Sequence, residues 1–195
     1  MYGRVVKRAL DLLLALMLCV CLSPVLIAVS VWVKLDSPGH VLFRQTRLGK
    51  DGKPFTVLKF RTMLETAPEN VATRDLFHSA DYITRSGRIL RSSSLDELPQ
   101  LFNIIKGDMS LVGFRPCIPQ EEELDRLRRE YGAYSVRPGI TGLAQIRGRD
   151  ELEPEEKARY DGVYARHSSL DYDFRILMKT IFAVYNHEGI KEGGS

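Results

Sequence analysis

Asp96 and Glu97 stand side by side in the run Arg91-Ser92-Ser93-Ser94-Leu95-Asp96-Glu97-Leu98-Pro99-Gln100, where a helix is expected to begin. Two adjacent acids in so short a segment are its strongest local candidate for chemistry. A helix start also favours them, because its unpaired N–H groups and dipole stabilise anions. That same fact supplies a plainer account. Ser94 followed by Glu97 has the capping-box pattern, which satisfies backbone donors and carries no chemistry. On this segment alone, capping is the stronger reading. The supply of cations alters the balance. Lys59, Arg61, Arg91, Arg115, Arg137, Arg147 and Arg149 fall in short, punctuated segments rather than along evident helix faces. Arg115 precedes Pro116, and Arg137 precedes Pro138-Gly139. Arginine grips phosphate oxygens with a two-pronged fork, and glycine lets backbone amides approach an anion closely. Acids among many arginines suit the handling of a phosphate ester or diphosphate.

Several elements must position these groups. Residues 41–43 and 55–60 flank Gly49-Lys50-Asp51-Gly52, and Asp-Gly is a strong turn signal, so residues 41–60 read as a β-hairpin that presents Lys59 near its end. Residues 95–106 read as a helix with Leu98, Phe102 and Ile105 on one stripe, ending at Gly107. A second helix over 119–131 is acidic at its start (Glu121, Glu122, Glu123) and basic later (Arg126, Arg128, Arg129), matching the helix dipole. Its charges read as a solvated face, with Leu124, Leu127 and Tyr131 as the buried edge. Residues 137–149, rich in Gly and Arg, read as a loop. A last helix over 170–185 places Leu170, Phe174, Leu177, Met178, Ile181 and Phe182 on one face, read as core, with a membrane-surface position as the alternative. Residues 65–80 are polar and irregular, and no element is assigned to them.

The front of the chain carries an apolar run over residues 12–33, interrupted by Ser23-Pro24. Roughly 20 apolar residues suffice to cross a bilayer, but proline breaks the hydrogen-bond ladder and kinks the helix. Arg4, Lys7 and Arg8 precede the run; Lys34, Arg44, Arg47, Lys50 and Lys53 follow it. Positive residues favour the cytoplasmic side, so a bend that returns both ends to one face reads as a re-entrant membrane hairpin. A spanning helix with a tolerated proline is the competing reading; a signal peptide would need a shorter apolar region and a cleavage site. Asp11 reads as a partner of Lys7 or Arg8, and Cys19 and Cys21 as small hydrophobes.

The formal charge of +3 is unevenly spread, with nine Lys/Arg against three Asp/Glu in residues 1–60. A basic region beside an apolar anchor suits the anionic inner leaflet. Nucleic acid is disfavoured, since neither aromatic-basic alternation nor zinc-finger spacing occurs. Three cysteines make no disulfide framework, and the four histidines are scattered singly. The expected fold is α+β and mainly helical: a re-entrant membrane helix-break-helix over 1–36, then a cytoplasmic catalytic domain over 37–195 with a short β-hairpin and amphipathic interfacial helices.

Matching segments run nearly end to end with one known family. They are Lys7-Arg8 with the Ser23-Pro24 break, Leu35-Asp36-Ser37-Pro38-Gly39, Phe43-Arg44-Gln45-Thr46-Arg47-Leu48-Gly49 and Lys59-Phe60-Arg61-Thr62-Met63. The most distinctive are Ser94-Leu95-Asp96-Glu97-Leu98-Pro99-Gln100, Gly107-Asp108-Met109-Ser110-Leu111-Val112-Gly113 and Arg137-Pro138-Gly139-Ile140-Thr141-Gly142. The chain resembles the bacterial sugar transferases, monotopic polyprenyl-phosphate phosphoglycosyl transferases, and among them the minimal, catalytic-domain-only type. It departs from the family pattern at Phe114, Leu143 and Asp150, where proline, tryptophan and asparagine are usual.

The resemblance implies a mechanism. Asp96 would attack the β-phosphorus of a UDP-sugar, release UMP and hold a phosphosugar, which a polyprenyl (undecaprenyl) phosphate would then accept. It implies Mg²⁺ as cofactor with Glu97 as its ligand, and the cytoplasmic face of the bacterial inner membrane as the location. Lys59, Arg91, Arg115 and Arg149, with Arg137 beside them, are the candidate phosphate contacts. Two alternatives stay open: a non-catalytic, membrane-anchored nucleotide or lipid-headgroup binder, and an enzyme using Asp96 as general base for direct transfer.

Overall fold

Backbone hydrogen bonding in the apolar N-terminal run is interrupted at one place. In the computed structural model, which describes residues 4–67, 79–148 and 151–185, helices α1 (Arg4–Cys21) and α2 (Ser23–Asp36) meet at Leu22. The pair is bent by 64°. Pro24 has no N–H to give the Val20 carbonyl four residues earlier, and the Ser23 hydroxyl donates to that carbonyl instead at 2.8 Å. The ladder resumes at once, with Leu26 N–H on the Leu22 carbonyl at 2.8 Å. Proline thus removes one bond and serine satisfies the carbonyl it orphans. Among the described residues no single helix is long and apolar enough to cross a membrane; by length and composition the bent pair together is.

The expected hairpin forms. Strands β1 (Leu42–Leu48) and β2 (Pro54–Phe60) pair antiparallel, Phe43 opposite Lys59 and Gln45 opposite Val57. The turn turns left-handed at Asp51 (φ 59°) and Gly52 (φ 70°), as an Asp-Gly pair favours. The first strand continues to Leu48, well past the expected residue 43. Two short helices follow, α3 (Ser79–Tyr82) and α4 (Arg85–Ser92), the second capped by the Thr84 hydroxyl on Gly87 N–H at 2.9 Å. Arg91 therefore sits on a helix, contrary to the reading that it lay in an irregular segment.

Residues 95–106 are not one helix. A 3₁₀ turn, Leu95–Glu97, leads through Pro99 into α5 (Gln100–Lys106), which ends at Gly107 (φ 103°) as expected. The capping box does not exist: Ser94 has φ 57° and its hydroxyl makes no cap. The buried stripe is also displaced, since Leu101 and Ile104 are buried while Phe102 is exposed. α5 docks on the open edge of β2 through one side chain. Asn103 Nδ2 donates to the Thr56 carbonyl at 2.7 Å, and its Oδ1 accepts the Leu58 N–H at 3.0 Å, as a neighbouring strand would.

The second half departs further from expectation. β3 (Ser110–Val112) pairs in parallel with β4 (Gly139–Thr141), so part of the expected 137–149 loop is a strand. A Cβ at Gly139 would collide with the Gly113 backbone, which explains the glycine by strand packing rather than by anion binding. On α6 (Glu122–Glu130), Leu124 and Leu127 are buried, and Arg126 and Arg129 are exposed as expected. Arg128 is not: it is buried against Asp161 of α7 (Pro154–His167), a helix outside every expected element, although Pro154 in its first turn and the Glu153–Glu156 capping box mark its start. α8 (Leu170–Tyr185) has the expected bounds, yet Leu170, Phe174, Met178, Ile181 and Phe182 are all exposed. The core reading of that stripe is wrong: these five side chains are not covered by the rest of the described chain. α8 docks instead through Asp173 and Ile176, both buried.

α1 belongs to the same core. Ala15 is fully buried with Val57, Leu101, Ile104 and Met109. Arg8 caps α5, its guanidinium donating to the Ile104 and Ile105 carbonyls at 2.5 and 3.0 Å. These are last-turn carbonyls, of which Ile104 also accepts the Gly107 N–H at 3.0 Å.

Candidate active site

The 3₁₀ turn that replaces the expected capping box gives its two acids opposite fates. Glu97 is 8% exposed, and its Oε1 accepts Lys59 Nζ at 2.7 Å and Arg115 Nη1 at 3.1 Å. Asp96 makes no hydrogen bond or ion pair with any described residue. Its carboxyl lies above its ordinary value, chiefly because it is withdrawn from water. The neighbouring Glu97 adds to that rise, while Lys59, Arg115 and Arg91 oppose it. One acid is pinned; the other is desolvated under the charge of three cations, with no hydrogen-bond or ion-pair partner among the described residues.

Four elements deliver this arrangement. β2 carries Lys59 near its end, and the Asn103 plug fixes β2 against α5, which continues from the turn holding the acids. α4 brings Arg91, whose Nε donates to Thr62 Oγ1 at 2.9 Å. The Asp96 charge stabilises the Arg91 cation against the cost of its burial. Arg115 follows β3, whose pairing with β4 extends through a bridge between Phe114 and Pro138. Phe114, a departure from the family pattern, is fully buried, edge-on to Tyr134 at 5.2 Å and beneath the Arg128 guanidinium at 5.0 Å. It thereby anchors the backbone immediately before Arg115.

The other expected cations separate into groups. Arg137 Nε donates to the Gly107 carbonyl at 2.8 Å, at the end of α5 away from Asp96. Arg61 is buried and closes the end of α2, its Nη2 donating to the Ser37 carbonyl at 2.8 Å and lying 2.9 Å from Ser37 Oγ. Both are held by backbone carbonyls, not by the acid pair. Arg149 and Asp150 lie outside the described residues. Ser23 and Pro24 form the break described above. Arg47 was not among the candidates. It donates to the Pro116 carbonyl at 3.2 Å, next to Arg115, and to Gln45 Oε1 at 2.5 Å. Burial and the positive charge of Arg115 push Arg47 down to about 10. The alternation of Gln45 and Arg47 along β1 was the available signal, since residues two apart share a face of a strand. Asn103 left none, because a buried amide reads as an ordinary polar helix residue. Among the described residues, no group of three or more His, Cys, Asp or Glu side chains gathers as a metal cluster.

Comparison with known proteins agrees with these motifs. Residues 2–187 match the bacterial sugar transferase family. The chain is 43% identical over 187 residues to the UDP-glucose:undecaprenyl-phosphate glucose-1-phosphate transferase of Escherichia coli K12, covering 92% of this chain and 40% of that protein. It is 44% identical over 184 residues to the protein of the same description from Caulobacter vibrioides, covering 90% of this chain and 68% of the other. It is also 37% identical over 194 residues to the UDP-N-acetylgalactosamine-undecaprenyl-phosphate N-acetylgalactosaminephosphotransferase of Aeromonas hydrophila, covering 95% of this chain and 45% of that protein. The chain thus spans from two-fifths to two-thirds of these relatives. With a match over 2–187 and these identities, the chain belongs to the bacterial sugar transferase family.

Proposed function

We propose that this chain is a phosphoglycosyl transferase that moves a sugar phosphate from a UDP-sugar to a polyprenyl phosphate such as undecaprenyl phosphate, at the cytoplasmic face of a bacterial inner membrane. The observation that carries the proposal is the asymmetry of the acid pair: Glu97 engaged by Lys59 and Arg115, Asp96 unbonded and desolvated beside them. An Asp96 oxygen bonds to the β-phosphorus as the bond to the UMP oxygen breaks, and UMP leaves with the electron pair. An oxygen of the polyprenyl phosphate then bonds to the same phosphorus and releases the Asp96 carboxylate. The product is a polyprenyl-diphosphate sugar. A carboxylate approaching a diphosphate meets repulsion, which Lys59, Arg91 and Arg115 offset by placing positive charge around Asp96.

The donor set suits Mg²⁺, which is commonly held by one or two carboxylates together with substrate phosphates rather than by a full protein cage. Glu97, beside Asp96, would hold it, and when bound it neutralises diphosphate charge. The bent α1–α2 pair and the exposed apolar face of α8 support a seat at the bilayer surface, with the helix pair re-entrant rather than spanning. The relatives' names carry different sugars, so a panel of UDP-sugars is the right assay. Magnesium-dependent release of UMP that requires Asp96, and is abolished by Asp96→Asn in a protein that still folds, is the expected result. UMP release retained by Asp96→Asn, or tight nucleotide binding with no release from any UDP-sugar, would reassign the chain.

A further inference from the structure

Strand pairing puts Arg47 on a defined face of the hairpin. Phe43 stands opposite Lys59, and alternate residues share a face, so Gln45 and Arg47 lie on the same side as Lys59. Lys59 reaches Glu97 from one end of that face, and Arg47 reaches the segment after β3 from the other. There Arg47 Nη1 donates to the Pro116 carbonyl at 3.2 Å, and the next residue adds a backbone bond, Leu48 N–H to the Cys117 carbonyl at 2.9 Å. On the other side of Arg115, the buried Phe114 bridges to Pro138. The backbone of Arg115 is therefore clamped before and after, while its Nη1 donates to Glu97 Oε1 at 3.1 Å. Arginine is a costly choice for this clamp. A neutral donor could satisfy the Pro116 carbonyl, whereas Arg47 is largely withdrawn from water beside a second guanidinium, two effects that push it down to about 10. Gln45 Oε1, which accepts from Nη2 at 2.5 Å, brings no compensating charge. A like charge beside Arg115 has one effect that a neutral clamp lacks: it disfavours every arrangement in which Arg115 folds back towards β1.

We infer that Arg47 is a positioning residue for phosphoryl transfer, acting through Arg115. Its guanidinium holds the Pro116 carbonyl, which fixes the Arg115 backbone, and its charge turns the Arg115 guanidinium away from β1 and towards the acid pair. The inference rests on the transferase reading above. No bond to phosphorus and no proton involves Arg47 itself. Arg115, so held, offsets phosphoryl charge as the bond from Asp96 to phosphorus forms and the bond to the UMP oxygen breaks.

A residue that acts through Arg115 loses its effect once Arg115 is gone, whereas a merely structural residue does not. The full chain, with undecaprenyl phosphate in mixed micelles, is assayed for UMP release from the UDP-sugar turned over fastest in a panel, well below the thermal midpoint of every variant. Arg47→Gln keeps a donor for the Pro116 carbonyl and removes the charge. The inference expects its kcat/KM to fall about 10-fold, short of the roughly 100-fold that a misplacement of about 1 Å can cost. In a chain already carrying Arg115→Met, adding Arg47→Gln changes kcat/KM by less than about twofold. Arg47→Lys, which retains the charge, stays within about threefold of the wild type. An equal factor of loss in the two backgrounds, an unchanged kcat/KM in Arg47→Gln, or a loss of about 10-fold or more in Arg47→Lys would overturn the inference. A wild-type chain inert towards every UDP-sugar would instead overturn the transferase reading itself, and the inference with it.

Discussion

Lys7 Nζ lies 2.6 Å from Asp173 Oδ2, joining the first helix to the last across 166 residues. Around this pair, the Tyr164 hydroxyl donates to Asp173 Oδ1 at 2.7 Å. Asp11 takes the Ser110 hydroxyl at 2.8 Å and the Leu111 N–H at 3.2 Å. An N-terminal helix that sequence reads as an anchor is thus bolted by charge to β3 and α8. α1 is thereby fixed against the strand that leads to Arg115.

Breaking that bolt should loosen the fold without touching the chemistry directly. Lys7→Ala leaves the mostly buried Asp173 carboxylate short of a charged donor and should cost about 1–3 kcal/mol. The check is denaturant unfolding in detergent, and a cost below about 0.5 kcal/mol would mean that the contact is as weak as an ordinary surface pair.

The position of the acid limb of the pH–rate profile follows from the cations around Asp96. Attack needs the ionised carboxylate, which burial holds above its ordinary value of 3.8 and Lys59 pulls back. Lys59→Met removes that pull, so the Asp96 pKa rises further and the limb of kcat/KM moves to higher pH. Profiles of the two proteins, measured over the same buffers, test this. An unmoved limb, or one shifted to lower pH, would remove Asp96 from the role of titrating nucleophile.

The Arg128–Asp161 pair, with donor–acceptor distances of 2.9 and 2.7 Å, is buried between α6 and α7. Arg128→Met strands the Asp161 carboxylate and should cost about 3–5 kcal/mol, whereas Arg128→Met with Asp161→Leu should recover most of it. The sign of the pH dependence follows. Even with Arg128 present, burial pushes Asp161 up to about 6, so the folded state of the single variant favours the protonated acid more strongly still. Its stability is best at low pH and is lost as pH rises through the folded-state value. Thermal unfolding at several pH values checks both statements.

Sequence revealed features set by local chemistry and concealed those set by distant partners. The Ser23-Pro24 break, the Asp51-Gly52 turn, the Gly107 stop and the bounds of α8 were all legible, since each depends on residues within a turn of itself. Ser94 misled, because capping requires an extended residue and this one is left-handed. The α8 stripe misled because apolar periodicity says that a face is apolar, not that protein covers it. Lys7 and Arg8 were counted as membrane-flanking charges, yet both are spent on Asp173 and the end of α5. β4 was hidden by its brevity, starting at Gly139 behind Pro138, whereas α7, weakly amphipathic, still carried a legible start in Pro154 and the Glu153–Glu156 box. Of the site, Lys59, Arg91, Asp96, Glu97 and Arg115 were legible and do converge. Arg137 stands apart from them, on the Gly107 carbonyl, and Asn103 emerges only when strands and helices are packed together.

The account turns on a covalent bond between Asp96 and phosphorus. Its most direct test is intact-mass analysis of the full chain, rapidly quenched after mixing with UDP-sugar and Mg²⁺ in the absence of lipid acceptor. The predicted result is a gain of one phosphosugar mass, mapped to Asp96 by proteolysis, lost on adding undecaprenyl phosphate and missing in Asp96→Asn. Normal lipid-dependent UMP release with no such adduct at any quench time would contradict it and make transfer a single direct displacement.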